Sequence, residues 1–109
     1  MDIFKIEGGT RLKGEVKVGG SKNAALPILA ACLLTTEPVT LRGVPHLADV
    51  TNMLNLLREL GAEAEQADNG TITFQVKDEN KSLAGYDTVR KMRASISVLG
   101  PLVAKRGHA

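Results

Sequence analysis

Gly19-Gly20-Ser21-Lys22-Asn23-Ala24-Ala25-Leu26-Pro27 marks a change of local structure. Before it, Gly14 to Val18 alternates, with Val16 and Val18 on one face and Glu15 and Lys17 on the other. That is the period of a half-buried strand. The two glycines end it. After it, small and apolar residues run from Ala24 to Leu34, a helix expected to be buried on most sides. Ser21 and Asn23 are both N-cap types, because each side-chain oxygen can accept from an orphan N–H. Asn23 is the preferred cap. It puts Pro27 at the fourth helical position, where only one backbone bond is lost, and leaves Lys22 on the loop. Helical N–H groups beside an ammonium make an anion site, suited to phosphate or carboxylate. Gly-Gly before a capped helix is also ordinary turn chemistry. The G-x-x-x-x-G-K-[ST] spacing of a phosphate loop is absent.

Upstream, Ile3 to Glu7 reads as a short strand with Phe4 and Ile6 on one face, and Gly8-Gly9 as a turn. Downstream, Thr35 to Pro38 breaks the helix, and Val39 to Arg42 is a strand. A second helix, Leu47 to Leu60, carries the stripe Leu47, Val50, Met53, Leu54, Leu57 and Leu60, and Gly61 stops it. Ala62 to Gln66 and Thr71 to Val76 are strands, with Ile72, Phe74 and Val76 on one face. Asn69-Gly70 between them suits a type I′ turn. Lys77 to Gly85 is a polar loop. Asp87 or Thr88 can cap a third helix with Val89, Met92, Ile96, Leu99 and Val103 on its apolar side, kinked or split at Gly100-Pro101. Strands alternating with helices argue for an α/β layer, one sheet covered by helices. A further unit begins after Val76, so the chain is expected to be a piece of a longer protein.

The totals narrow the function. A 109-residue chain with 43% hydrophobic and 24% charged residues is globular in composition. A net charge of +2 and 3% aromatics, with no Trp, argue against nucleic acid and against base-stacking surfaces. No apolar run is long enough to span a bilayer, and no signal peptide is visible. The single Cys32 forms no internal disulfide and lies in an apolar run as a buried thiol. These features predict a cytoplasmic protein.

No complete catalytic set is present. His46 and His108 are far apart, no Cys/His cluster has metal-ligand spacing, and Asp49, Glu59 and Glu63 form no convincing acid/base pair. What stands out is cationic: Lys22 beside Asn23, and Arg93 among the small residues Ala94 and Ser95. These are anion-binding parts, half of a site.

Gly20-Ser21-Lys22-Asn23-Ala24-Ala25-Leu26-Pro27, Val44-Pro45-His46-Leu47-Ala48-Asp49-Val50, Leu60-Gly61-Ala62, Lys91-Met92-Arg93-Ala94-Ser95 and Leu99-Gly100-Pro101-Leu102-Val103-Ala104 together resemble the N-terminal quarter of the UDP-N-acetylglucosamine 1-carboxyvinyltransferase family. This is the amino-sugar branch of the EPSP synthase-like enolpyruvyl transferases. The resemblance covers nearly the whole chain in order and spacing. It implies two domains of βαβαββ units, an inside-out α/β barrel, with the active site in the cleft between them. One unit and the start of a second would lie here. Residues 1–20 would be strands of the far domain and a hinge, and residues 21–109 the first part of the catalytic domain.

The implied reaction moves the enolpyruvyl group of phosphoenolpyruvate onto the 3-hydroxyl of UDP-N-acetylglucosamine and releases phosphate, the first committed step of peptidoglycan synthesis. It implies no metal or organic cofactor. By the same resemblance Lys22 and Asn23 would bind phosphoenolpyruvate. Arg93 and Ala94 would contact UDP-N-acetylglucosamine. The catalytic cysteine would sit on a Pro-Gly-Gly-Cys loop beyond Ala109, so the 109 residues alone are expected to be inactive. The alternatives are the sister enzyme, 5-enolpyruvylshikimate-3-phosphate synthase, whose lysine is typically followed by Ser, and a non-catalytic α/β binding module.

Overall fold

A computed structural model describes residues 1–109. The first helix, α1, spans Lys22–Ala31. Its N-cap is Ser21, not Asn23: Ser21 is extended and its Oγ accepts the Ala24 N–H at 3.4 Å. The Ser21 carbonyl accepts from the Ala25 N–H at 2.9 Å, the first intrahelical bond. Lys22 is therefore the first helical residue rather than a loop residue, and Pro27 is the sixth. The missing Pro27 N–H would have bonded the Asn23 carbonyl; Asn23 is exposed, so water can serve that carbonyl instead. A 3₁₀ turn, Cys32–Leu34, carries the element to its expected end. Its burial is one-sided. Ala25, Leu26, Leu29, Ala30 and Leu33 face the core, while Ile28 and Leu34 stay about half exposed.

Strand β1 (Val39–Leu41) and helix α2 (Ala48–Glu59) follow. Val50, Met53, Leu54 and Leu57 of the expected stripe are buried, and so are Leu56 and Leu60. Leu47 is not; it lies at the N-cap, before the helix turns its side chains inward. Gly61 ends α2 at φ +93, and its carbonyl accepts from the Lys77 and Asp78 amides.

Strands β2 (Ala62–Gln66) and β3 (Ile72–Val76) pair antiparallel, Ala64 opposite Phe74. The connection is not type I′, which needs positive φ at two successive residues. Only Gly70 is left-handed there, at φ +86. Asn69 keeps a negative φ and its Oδ1 accepts the Thr71 N–H at 3.0 Å. The Gly70 N–H bonds the Ala67 carbonyl, and the Ala67 N–H the Thr71 carbonyl, giving a three-residue loop that closes on a left-handed glycine.

β1 pairs with the other side of β3, so the sheet order is β1-β3-β2, antiparallel throughout. Ile72, Phe74, Val76, Ala62 and Ala64 face the helices; Thr73, Glu63, Glu65 and Thr40 face solvent. Arg58 donates to the Ala64 carbonyl. The order helix, strand, helix, strand, strand is the expected βαβαββ unit without its first strand.

That first strand is absent for a physical reason. Gly14 to Val18 and Ile3 to Glu7 do not form strands: residues 1–20 carry no ladder and are exposed throughout, Phe4 at 94% and Val18 at 88%. Alternation supplies a face to bury, but a strand also needs a neighbour for its N–H and C=O groups.

The third helix is also different. It is a single turn, α3 (Tyr86–Val89), capped by Gly85 rather than Asp87 or Thr88. A 3₁₀ segment, Arg93–Val98, and α4 (Leu99–Arg106) follow. The buried positions are Met92, Ser95, Val98 and Leu102, while Ile96, Leu99 and Val103 are exposed. The break at Arg90-Lys91 rotates the face by part of a turn, so the continuous stripe fails. Pro101 sits in the first turn of α4, where a missing N–H costs least, and α4 runs through it unbroken rather than splitting there. No helix is long and apolar enough to cross a membrane.

Candidate functional site

Lys22 and Asn23 open α1, so both project from its N-terminal turn, and both are exposed. The Lys22 ammonium is not free. Its Nζ lies 2.9 Å from Oδ2 of Asp49, with the two side chains 43% and 35% exposed. Asp49 is in the first turn of α2, where a carboxylate favours the positive end of the helix dipole. α1 and α2 pack side by side, and this brings together residues 27 positions apart. The acid in the first turn was visible in the sequence, but nothing local connects it to Lys22.

Arg93 begins the 3₁₀ segment that packs against α1. Its neighbours hold its backbone from below. Met92 and Ser95 are buried, and Ala94 is half-buried against the core. The Ser95 hydroxyl donates to the Val89 carbonyl at 3.2 Å. The Arg93 side chain itself is exposed and takes part in none of the ion pairs. It lines a mostly apolar cavity of about 510 Å³ with Leu83, Met92, Ile96 and Leu99.

Lys22 and Asn23 do not line this cavity, nor the ones beside Arg58 and beside Gly43. The structure thus places the two cationic halves on neighbouring elements without joining them through an ion pair or hydrogen bond. Chemically the arrangement offers two cations on adjacent elements and no nucleophile beside them. It can bind and orient anions; the carboxylate beside it, Asp49, is engaged by the Lys22 ammonium.

The remaining candidates have structural partners. Cys32 is buried, its Sγ donates to the Ile28 carbonyl, and burial pushes its thiol pKa up, the reverse of an activated nucleophile. The His46 ring contacts the Asp68 carbonyl at 3.0 Å through Nε2 and ties the start of α2 to the hairpin loop. No three His, Cys, Asp or Glu side chains gather as a metal site would need. Glu59 accepts from the Thr88 hydroxyl and, at 3.0 Å, from the Gly85 N–H. The Thr88 bond, the Gly85 bond and nearby Lys91 hold its carboxyl below the usual glutamate range. In the sequence Glu59 is a lone acid without an acid/base partner, because Gly85 and Thr88 lie beyond a loop and only the packing of α3 on α2 brings them near.

Residues 6–109 match the family described as EPSP synthase (3-phosphoshikimate 1-carboxyvinyltransferase). Over 108 residues the chain is 47% identical to a UDP-N-acetylglucosamine 1-carboxyvinyltransferase of Campylobacter hominis. It is 51% identical to one of Escherichia coli O1:K1 / APEC. These alignments cover 99% of this chain and 26% and 25% of those proteins, so the chain spans about a quarter of their length. The crystal structure of the enolpyruvyl transferase NikO from Streptomyces tendae superposes with a TM-score of 0.72 at 25% identity, over 92% of this chain and 23% of that one.

Proposed function

The chain belongs to the EPSP synthase family, and from that membership we propose that it is the N-terminal part of a UDP-N-acetylglucosamine 1-carboxyvinyltransferase. The observation that carries the reading is identity near one half, over 99% of the chain, with transferases of that name. The substrates are phosphoenolpyruvate and UDP-N-acetylglucosamine. The sugar 3-hydroxyl adds to the enol carbon, a proton goes to the methylene, and the tetrahedral intermediate then loses phosphate and a proton. Both substrates are anions, so bringing them together costs electrostatic repulsion that cations must offset. Lys22 and Asn23, on the first turn of α1, take the phosphoenolpyruvate; Arg93 and Ala94 take the UDP-sugar. The packing of α1 against the Arg93–Val98 segment keeps these groups on one body.

Residues 1–20 belong with a second domain, and the proton-donating cysteine comes from chain beyond Ala109. The activity belongs to peptidoglycan synthesis in the cytoplasm, without nucleic-acid or membrane partners. The test is phosphate release by a full-length protein carrying these residues. Phosphate should appear from phosphoenolpyruvate only when UDP-N-acetylglucosamine is present, with an enolpyruvyl ether as co-product. Release with shikimate 3-phosphate instead would assign the chain to the sister activity. Release with neither acceptor would sink the reading.

A further inference from the structure

We infer that Glu59 is a positioning residue for Arg93, acting through the one-turn helix α3 that leads to it. The inference rests on the proposal that Arg93 contacts the UDP-sugar. A four-residue helix cannot hold itself together in water, and α3 has no side-chain cap of its own, since its N-cap is Gly85. In a capping box the residue at the third helical position reaches back to the N-cap amide. Here that position is Thr88, and the carboxylate arrives instead from the last turn of α2. Glu59 Oε2 accepts the Gly85 N–H at 3.0 Å, and Oε1 accepts the Thr88 hydroxyl. Both ends of the turn are thereby tied to one side chain.

The tie continues to Arg93. The Val89 N–H donates to the Gly85 carbonyl at 3.1 Å. The Val89 carbonyl accepts from the Met92 N–H at 3.4 Å and from the Ser95 hydroxyl at 3.2 Å. Arg93 lies between those two donors. Its backbone is therefore referenced, through Val89 and α3, to α2, whose Val50, Met53, Leu56 and Leu57 are fully buried. The same segment also packs on α1 and buries Met92, Ser95 and Val98; on its N-terminal side, apart from α3, only the mostly exposed loop from Lys77 to Gly85 leads to it. The exposed Arg93 guanidinium takes part in none of the ion pairs, so its orientation depends on its backbone, and the path through α3 fixes the direction from which that backbone enters the segment. The depressed pKa of Glu59 agrees with a carboxylate that is ionised and engaged.

The test uses a full-length transferase carrying these residues. Glu59→Ala should raise the KM for UDP-N-acetylglucosamine by about three- to tenfold, the loss expected for hydrogen bonds of ordinary net strength. The kcat and the KM for phosphoenolpyruvate should stay within about twofold. Glu59→Gln, whose single oxygen can accept the Gly85 N–H while its amide NH2 donates to the Thr88 hydroxyl, should recover part of the loss. Thr88→Val should resemble Glu59→Ala, and Thr88→Ser should not. In an Arg93→Ala background, Glu59→Ala should add nothing to that KM, because neighbours acting through one group are not additive.

An unchanged KM in Glu59→Ala overturns the inference. So does an equal fold-change in the Arg93→Ala background, or a fall in kcat and both affinities together with the melting temperature. If Glu59→Ala does not fold, the Thr88 pair decides in the same terms. Arg93→Ala alone separates the two levels. If it leaves the UDP-sugar KM unchanged, the site assignment fails and takes this inference with it. If it raises that KM while the Glu59 and Thr88 variants are silent, only the role of Glu59 fails.

Discussion

Lys22 meets its counter-charge on another helix, at 2.9 Å from Asp49. With both side chains more than a third exposed, water screens the pair, and such pairs contribute about 1 kcal/mol or less. Stability is therefore a weak reason for either residue. Lys22→Ala and Asp49→Asn should each shift the urea-unfolding free energy of the chain by less than about 1 kcal/mol. In a full-length transferase, Lys22→Ala should raise the KM for phosphoenolpyruvate by about tenfold or more, the loss of a charge-assisted hydrogen bond. A loss of several kcal/mol of stability with unchanged affinity would make Lys22 a structural residue. Lys22, Asn23, Arg93 and Ala94, the residues proposed to meet the two substrates, stand in motifs that the sequence itself displays. Asp49 and Glu59 were visible only as single acids, because their partners are 27 and at least 26 residues away and are reached only through helix packing.

At the scale of elements, turn geometry depends on what surrounds each glycine. Gly61 and Gly107 both end helices in the left-handed region, at φ +93 and +81. A side chain there costs about 1–2 kcal/mol from backbone sterics alone. At Gly107 a Cβ would meet open space, whereas at Gly61 it would lie 1.9 Å from the Asp78 carbonyl oxygen. Gly107→Ala should therefore lose only that backbone cost. Gly61→Ala should lose clearly more, about 3 kcal/mol or above, since α2 and the end of β3 must also move apart. Equal losses by denaturant unfolding would show that the contact at Gly61 relaxes freely. The helix period revealed α2, and strand alternation revealed β3, because both are bounded by local turn signals. The same reasoning failed for α3 to α4. The apolar spacing suggests one helix, but the chain breaks at Arg90-Lys91 and turns to bury Met92 and Ser95, leaving α3, a 3₁₀ segment and α4.

The whole molecule is larger than its length requires. A 109-residue domain is expected to have a radius of gyration of about 13 Å, and this one has 17.2 Å with extents of 58 × 30 × 22 Å. Its surface of 8006 Å² exceeds the roughly 5800 Å² expected for its mass. Residues 1–20 contribute to both excesses, exposing Ile3, Phe4, Ile6, Leu12, Val16 and Val18 outside the core. A chain beginning at Gly19 should keep the unfolding free energy within about 1 kcal/mol, because the removed residues pack against nothing. Its scattering radius should fall towards 13–14 Å, and any concentration dependence of its melting should weaken. A large loss of stability on truncation would mean that the arm folds back on the body in solution.

By itself the sequence determined the order of elements from α1 to β3, most of the inward faces of α2 and β3, and two cationic positions of the kind that suits anions. Each of these depends on spacing within one segment, which period and turn chemistry record directly. Only the tertiary structure decided that Ser21 rather than Asn23 caps α1, that Asp49 holds Lys22, that Glu59 pins the turn before Arg93, and that the first twenty residues remain unpaired. Those outcomes depend on which groups meet across the core and on which strands have a neighbour. Hydrogen bonds and ion pairs between distant segments leave no periodic trace in the chain that makes them.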